Sequence, residues 1–120
     1  MMAVSPEYKA YLEELFEPIP GVRFKRMFGG LGLFRDDVMF GLVAFERLYF
    51  KVDDQTKPRF ADAGAEPFVY DGKGKPIEMS YWTCPDEALD DPDQFEEWAR
   101  IGIEASRRAA AAKPKRKRKK

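Results

Sequence analysis

The stretch RMFGGLGLFRDDVMFGLV, residues 26–43, decides the fold of this 120-residue chain. Its apolar residues keep the two-residue period of β-strands, interrupted by a glycine pair and by a tight turn at Arg35-Asp36-Asp37. With its flanks it predicts four strands joined by short connections, over residues 23–27, 31–34, 38–44 and 48–52. Parallel neighbours need a crossover of about a dozen residues, so these strands must be antiparallel. The sequence therefore predicts a four-stranded meander.

Two helices flank the strand-rich centre of the chain. Ser5 is a predicted N-cap, Pro6 suits the first helical position, and the Pro20-Gly21 pair lies beyond the end of this first helix. For the last helix, Asp91 is the predicted N-cap and Pro92 suits the first helical position. The inward face of that last helix is predicted to consist of Phe95, Trp98, Gly102, Ile103 and Ala105.

A short helix and a second hairpin are predicted between the meander and the last helix. Asp53 or Asp54 is expected to cap the short helix, and Gly64 is a natural terminator. Residues 66–70 and 77–82 alternate like strands and predict the hairpin. Because strands occur in blocks, the class is α+β. The predicted fold is an antiparallel β-meander plus a second β-hairpin, with an N-terminal helix, a short middle helix and a C-terminal helix.

A formal net charge of zero hides a strong asymmetry along the chain. Residues 113–120 read KPKRKRKK and hold seven of the 21 basic residues. Residues 1–112 therefore have 14 basic against 21 acidic residues, a formal charge of −7. We predict a folded domain over residues 1–112 and a disordered basic tail over residues 113–120, because the tail's like charges repel and it buries nothing.

The tail is the clearest candidate for nucleic-acid binding. Cationic arms attract polyanions by releasing condensed counterions, and phosphate contacts carry no sequence preference. The alternative is a tail that only solubilises the chain or folds back onto the acidic body. The predicted non-specific contacts to DNA or RNA are Lys113, Lys115, Arg116, Lys117, Arg118, Lys119 and Lys120.

The residue inventory excludes most kinds of catalytic and metal site. The chain has no histidine, the commonest general base and metal ligand. Cys84 is the single cysteine, with no adjacent base to activate it as a nucleophile. The pairs Asp36-Asp37, Asp53-Asp54 and Asp90-Asp91 lie where turns and helix caps favour aspartate. We therefore predict no enzyme, no catalytic residue, no cofactor and no metal site.

The cellular location follows from the same inventory. No stretch approaches the roughly 18 apolar residues that a membrane span requires. Residues 1–9 lack the basic and apolar regions of a signal peptide, and one cysteine fits a reducing compartment. The sequence predicts a cytoplasmic protein without membrane contact.

Two stretches, residues 23–28 and 47–51, interleave basic and aromatic residues. On one sheet face they would form a stacking platform for single-stranded nucleic acid. A half-buried sheet with aromatics inward and charges outward gives the same alternation, and the strand period favours it. The glycines at 29–32 and 72–74 lack the context of a dinucleotide or phosphate loop and are predicted to connect strands.

Four motifs, in this order, resemble one protein family. They are RMFGGLGLFRDDVMFGLV, then RLYFKVDDQTKPRF (residues 47–60), PFVY (residues 67–70) and KPIEMSYWTCP (residues 75–85). The resemblance, over roughly residues 7–108, is to the N-terminal domain of the TfoX/Sxy family of bacterial competence regulators. The resemblance implies that the following residues are family signature residues with a structural role: Arg26, Met27, Phe28, Gly29, Gly30, Lys51, Lys75, Pro76, Ser80, Tyr81 and Trp82.

The resemblance implies a compact α+β domain and a link to transcription, since full-length relatives promote competence gene expression alongside a cyclic-AMP-responsive activator. Those relatives continue into a second domain, where this chain has its basic tail instead. We predict a non-enzymatic regulatory module with a partner in the transcription machinery. The alternative is a protein-interaction domain of unknown function that forms a homodimer through a strand edge or the last helix.

Overall fold

The structure is a computed structural model that describes residues 5–27, 30–72 and 75–112. Those residues form four helices and six strands. In chain order the elements are α1 (Pro6–Leu15), β1 (Val22–Met27), β2 (Gly30–Arg35), β3 (Val38–Ala44), β4 (Arg47–Lys51), α2 (Lys57–Asp62), β5 (Pro67–Gly72), β6 (Lys75–Thr83), α3 (Asp86–Leu89) and α4 (Pro92–Ala112).

The six strands form a single antiparallel sheet in the order β1-β2-β3-β4-β6-β5. The predicted meander, the second hairpin and the α+β class are all confirmed. The sequence did not show that the hairpin continues the meander, with β6 paired to β4 so that Phe50 lies opposite Trp82. The pairing of β4 with β6 bridges about thirty residues of chain, and local periodicity contains no signal for it.

Two hairpins of the meander, β2–β3 and β3–β4, each turn through two residues with positive φ. In the first, Asp36 and Asp37 have φ of 54° and 65°, and in the second Phe45 and Glu46 have φ of 55° and 58°. Two central residues of this kind define a type I′ turn, whose twist matches that of the flanking strands. Arg47, expected in the second connection, is the first residue of β4.

The core lies between one face of the sheet and the helices. Phe16, just after α1, is at its centre, with its ring against those of Phe24, Phe40, Phe50 and Phe95. These edge-to-face pairs, with centroids 4.9–6.5 Å apart, join β1, β3 and β4 to α4.

The opposite face of the sheet has a smaller apolar cluster made of strand residues. Ala44, Tyr49 and Phe68 are buried there, with Leu42, Met79 and Tyr81 packed against them. We call this side the open face, because no described helix residue contributes to its cluster.

The helix ends follow the predicted chemistry with one exception. Ser5 caps α1 by accepting from the Tyr8 N–H, and Asp91 accepts from the N–H groups of Asp93 and Gln94 at the start of α4. Gly64, with φ of 84°, follows α2 as predicted.

The exception is the predicted cap of the short helix, which is wrong. The helix α2 begins only at Lys57, after Thr56 as N-cap. The Asp53 carboxylate instead closes the preceding turn by accepting from the N–H groups of Gln55 and Thr56. The helix α3 was not predicted, since four residues are too few for a helical period.

Candidate interaction surface

The predicted tail contacts lie outside the described residues, as do two of the signature residues, Phe28 and Gly29. The other signature residues fall into two groups. Arg26, Met27 and Gly30 belong to the hairpin of β1 and β2, where Met27 pairs with Gly30. The second group consists of Lys51 on β4 and five residues of β6. Ser80, Tyr81 and Trp82 lie near the junction of the meander with the second hairpin, and Lys75 and Pro76 lie at the far end of β6, where they pair with β5.

Lys51 and Tyr81 are paired across this junction. They are register partners, and the Lys51 Nζ atom lies 5.3 Å from the centroid of the Tyr81 ring. A cation over an aromatic face at this distance is stabilising by about 0.5–1 kcal/mol at exposed sites. The contact explains two signature residues by packing on the open face.

Trp82, the next residue along β6, points the other way and packs against the main core. Its indole Nε1 is buried and has no hydrogen-bond partner among the described residues. A buried donor without a partner costs about 1–3 kcal/mol. The indole is therefore kept for its apolar surface and shape.

Cys84 is buried in the main core directly after β6. Burial and, to a smaller extent, the nearby Asp86 carboxylate raise the pKa of its thiol to about 12. The thiol is consequently protonated near neutral pH, and its Sγ faces the Pro85 carbonyl oxygen at 3.6 Å. A protonated, enclosed thiol is a poor nucleophile.

Four of the six paired aspartates, Asp36, Asp37, Asp53 and Asp91, contact cations or backbone N–H groups rather than one another. Asp36 accepts from Arg107 at 3.1 Å, Asp37 lies 3.7 Å from Arg23, and Asp91 caps α4. Among residues 5–27, 30–72 and 75–112 no group of three or more His, Cys, Asp or Glu side chains is placed to hold a metal ion. The turn and cap interpretation of these carboxylates accounts for their geometry.

A shallow cleft lies between the segment that follows α1, the end of β2 and α4. Its volume is about 260 Å³, below the roughly 300–1,000 Å³ of ordinary ligand pockets. Arg100 on its wall is already paired with Glu96 at 2.9 Å. The lining residues are Ile19, Pro20, Arg35, Glu96, Arg100 and Ile103.

The four meander strands have a charge opposite to that of the body around them. They contain six Lys or Arg residues and no Asp or Glu, in a domain of formal charge −7. Four of these cations, Arg23, Lys25, Arg47 and Lys51, alternate along β1 and β4 toward the open face. The apolar residues between them, including Phe24 and Phe50, pack in the main core.

This arrangement fits the half-buried sheet rather than a stacking platform. Tyr49 and Phe68 on the open face are only 6% and 7% exposed, and their rings meet edge to face at 5.1 Å. Rings that are buried against each other offer no flat face to a base. Arg23, Lys25 and Arg47 are exposed, whereas these aromatic rings are not.

Among the meander strands, β1 has the highest density of positive charge, and one side of its backbone is not paired with another strand. It is an edge of the sheet, and Arg23, Lys25 and Arg26 on it are all exposed. The sequence showed the alternation of charge in this segment but not its edge position, which depends on the complete strand order. It also gave no sign that Arg107 and Arg108 would tie α4 to Asp36 and Asp53.

Large apolar groups are exposed at the opposite end of the meander. Phe45, in the second type I′ turn, is 60% exposed, and Tyr11 on α1 is also exposed. The helix α1 starts next to this turn, because the Ser5 N–H donates to the Glu46 carboxylate at 2.8 Å. As for membranes, no helix in the described part of the chain combines the length and the apolar character of a span.

The comparisons with known proteins agree with the motif resemblance. The family model of the TfoX N-terminal domain matches residues 14–106. The chain is also similar to the DNA transformation protein TfoX1 of Aliivibrio fischeri (strain ATCC 700601 / ES114), with 38% identity over 58 residues. That alignment covers 48% of this chain and 28% of the relative, so the chain matches less than a third of its length. Because the family model covers well over half of the chain, the chain belongs to the TfoX N-terminal domain family.

Proposed function

We propose that this chain is a non-enzymatic regulatory module in competence-type control of transcription. Its folded body binds a protein partner, and its tail attracts DNA or RNA without sequence preference. The observation that carries the proposal is the family match over residues 14–106, together with the similarity to a protein named for DNA transformation.

Two properties of the folded body support an interaction role over a catalytic one. The single thiol, Cys84, is buried and has a pKa of about 12. The carboxylates that have hydrogen-bond or ion-pair partners use them to hold turns, caps and helices in place. A module of this kind acts through its surface, which is where its exposed charge lies.

The separation of the negatively charged body from the positively charged tail supports nucleic-acid binding by the tail. Seven cations within residues 113–120 adjoin a body of formal charge −7, so a polyanion is attracted to one end and repelled elsewhere. If all seven met duplex phosphates, the slope of log K against log salt concentration would be about −6, at roughly −0.9 per contact.

The test compares three full-length proteins in DNA binding at two salt concentrations. They are the native chain, a variant with the seven tail cations replaced by Gln, and a control with the tail residues in shuffled order. We expect the Gln variant to lose most affinity and the shuffled control to keep it, because the attraction is sequence-blind. Equal weak binding by all three would favour the alternative of a merely solubilising tail.

The regulatory part of the proposal has its own measurement. In a competent bacterium whose own family member is deleted, the native chain is expected to restore expression of a competence-gene reporter. No restoration by a chain shown to be folded and present at normal level would remove the regulatory role.

A further inference from the structure

Strand β1 ends the sheet on one side and pairs only with β2. All six of its residues, from Val22 to Met27, are in continuous register with β2. In an antiparallel ladder the backbone groups of alternate residues point toward the neighbour and those of the others point away. About half of the N–H and C=O groups of β1 therefore face outward, and no group in the described part of the chain bonds to them.

The edge is regular, which distinguishes it from the other end of the sheet. The β1–β2 register has no bulge and β1 contains no proline. Strand β5, at the other end, begins with Pro67 and has a register shift between Pro67 and Val69. Bulges and prolines are common means of blocking strand addition, and β1 has neither.

Side-chain packing holds β1 in place while its charges stay exposed. Val22 and Phe24 pack against the main core, and the Phe24 ring meets that of Phe16 at 5.9 Å. Arg23 has a side chain 74% exposed, and Lys25 and Arg26 have no ion-pair partner among the described residues. The strand thus offers a fixed backbone row with two cations, Arg23 and Lys25, on the open face and a third, Arg26, on the other face.

We infer that the free edge of β1 binds an extended, acidic segment of a partner protein by strand addition. The added strand pairs its backbone with the outward N–H and C=O groups, and its alternate Asp or Glu side chains lie beside Arg23 and Lys25 on the open face. This inference deepens the proposed function, since it assigns the surface that the protein partner occupies.

Charge decides among the occupants of such an edge. Two copies of β1 paired edge to edge would bring three cations against three, and like charges on adjacent strands are destabilising. The chain's own tail is cationic and is repelled in the same way. A nucleic acid has no alternating row of N–H and C=O groups to continue the ladder, and the buried Tyr49 and Phe68 rings give it no stacking surface. An acidic polypeptide satisfies both the backbone and the charges.

The test uses the full-length chain with its tail cations replaced by Gln, so that the tail does not capture an acidic probe. The probe is a capped, fluorescent peptide of Glu-Val repeats, about eight residues long to cover the strand. Controls are a Lys-Val peptide and a Glu-Val peptide N-methylated at alternate residues, which keeps the charge but removes one row of donors. We expect only the unmethylated acidic peptide to bind, measured by fluorescence anisotropy.

Matched protein variants distinguish binding at the edge of β1 from non-specific attraction between charges. Replacing Arg23 and Lys25 together by Gln should weaken the peptide about fivefold or more, the sum of two exposed ion pairs. Replacing Lys57 and Arg59 by Gln removes the same charge from exposed helix positions and should change affinity less than about twofold. Amide exchange measured by NMR should show new protection at alternate residues of β1 in the complex.

Several results would overturn the inference. No binding at about 1 mM peptide, equal binding of the methylated peptide, or no new protection in β1 would each remove strand addition. Displacement of the peptide by an oligothymidylate of equal charge would assign the edge to nucleic acid, and protection of β1 that grows with protein concentration alone would assign it to a second copy. The proposed function is tested separately, by the measurements of DNA binding by the tail and of reporter expression.

Discussion

Arg108, in the last turns of α4, donates two hydrogen bonds to the carboxylate of Asp53, from Nε to Oδ2 at 2.7 Å and from Nη2 to Oδ1 at 3.2 Å. The same carboxylate accepts from the backbone N–H groups of Gln55 and Thr56. One side chain therefore closes the turn after β4 and fastens the end of the long helix to it. The helix end fastened in this way is the one that leads into the basic tail.

Replacing Asp53 by Asn is expected to remove the ionic part of this contact and keep an oxygen for the turn. The pair is partly exposed, 22% for Asp53 and 37% for Arg108, so its charge interaction is screened. We expect the free energy of unfolding to fall by about 0.5–1.5 kcal/mol near neutral pH. Asp54→Asn is the control, because Asp54 is exposed and has no partner among the described residues.

The pH dependence of that difference follows from the direction of the pKa shift. Hydrogen bonding from Arg108 lowers the pKa of Asp53 below its ordinary value. A lowered carboxyl pKa contributes stability that is complete above the unfolded-state pKa, about 3.9, and lost as pH falls through the folded-state pKa. Urea unfolding of the native chain and Asp53→Asn should therefore converge at low pH. A difference that stays constant from neutral pH into acid would contradict the assignment.

Gly102 of α4 lies against Phe50 of β4 so closely that a Cβ added at this position would be 3.1 Å from the Phe50 Cβ. Phe50 is fully buried and is itself held by Phe16, Phe40 and Phe95, so it has little room to move. Gly102→Ala gains about 1 kcal/mol of helix propensity but overpacks the core by about 1–3 kcal/mol. We expect a net loss of about 1 kcal/mol in chemical denaturation.

A double-mutant cycle with Phe50→Ala tests this contact. Alanine removes the Cγ and Cδ1 atoms that an added Cβ would meet at 3.3 Å and leaves room for the strand to shift, so Gly102→Ala should cost less in the Phe50→Ala background than in the native chain. The same loss in both backgrounds would mean that the close approach of helix and strand does not determine the cost.

Much of the fold could be predicted because its signals are local. The cap at Ser5, the Asp91-Pro92 start of α4 and the strand period of the meander each act within a few residues. Short connections then force antiparallel neighbours without any knowledge of packing. The prediction was correct for most segments of this kind, and the cap of α2 is the exception, because Asp53 closes the preceding turn instead.

The other errors arise where contacts between distant segments of the chain determine the structure. The pairing of β4 with β6 depends on residues about thirty positions apart, and α3 is a four-residue helix fitted between β6 and α4. The position of the candidate surface could not be predicted for the same reason. The alternating charges of residues 23–26 are plain in the sequence, but whether a strand is central or at an edge follows only from the order of the whole sheet.

The turn at Phe45 is predicted to be strained. A bulky L-residue at φ of 55° is unfavourable, by about 1–2 kcal/mol, whereas glycine adopts this conformation freely. Its side chain is 60% exposed and so contributes little packing in return. After the entropy that glycine adds to the unfolded chain, Phe45→Gly should still stabilise the domain by about 0.5–1 kcal/mol.

Phe45→Ala separates backbone strain from loss of the ring. Alanine removes the aromatic group but keeps the unfavourable φ, so it should not stabilise the domain in thermal or urea unfolding. If Phe45→Ala and Phe45→Gly have equal stability, the turn is not strained. If Phe45→Gly is the less stable of the two, the hairpin needs a side chain at this position.

Labelling of Cys84 tests whether its thiol is accessible and has a functional role. With a pKa of about 12, only about one thiol in ten thousand is ionised at pH 8, and the side chain is enclosed by the core. Reaction with iodoacetamide then requires opening of the structure, so labelling should be at least about a thousandfold slower in the native chain than in urea. Cys84→Ala should cost about 1 kcal/mol for the small cavity and leave reporter activation intact. Rapid labelling of the native chain, or loss of activation in a stably folded Cys84→Ala variant, would instead indicate an accessible and functional thiol.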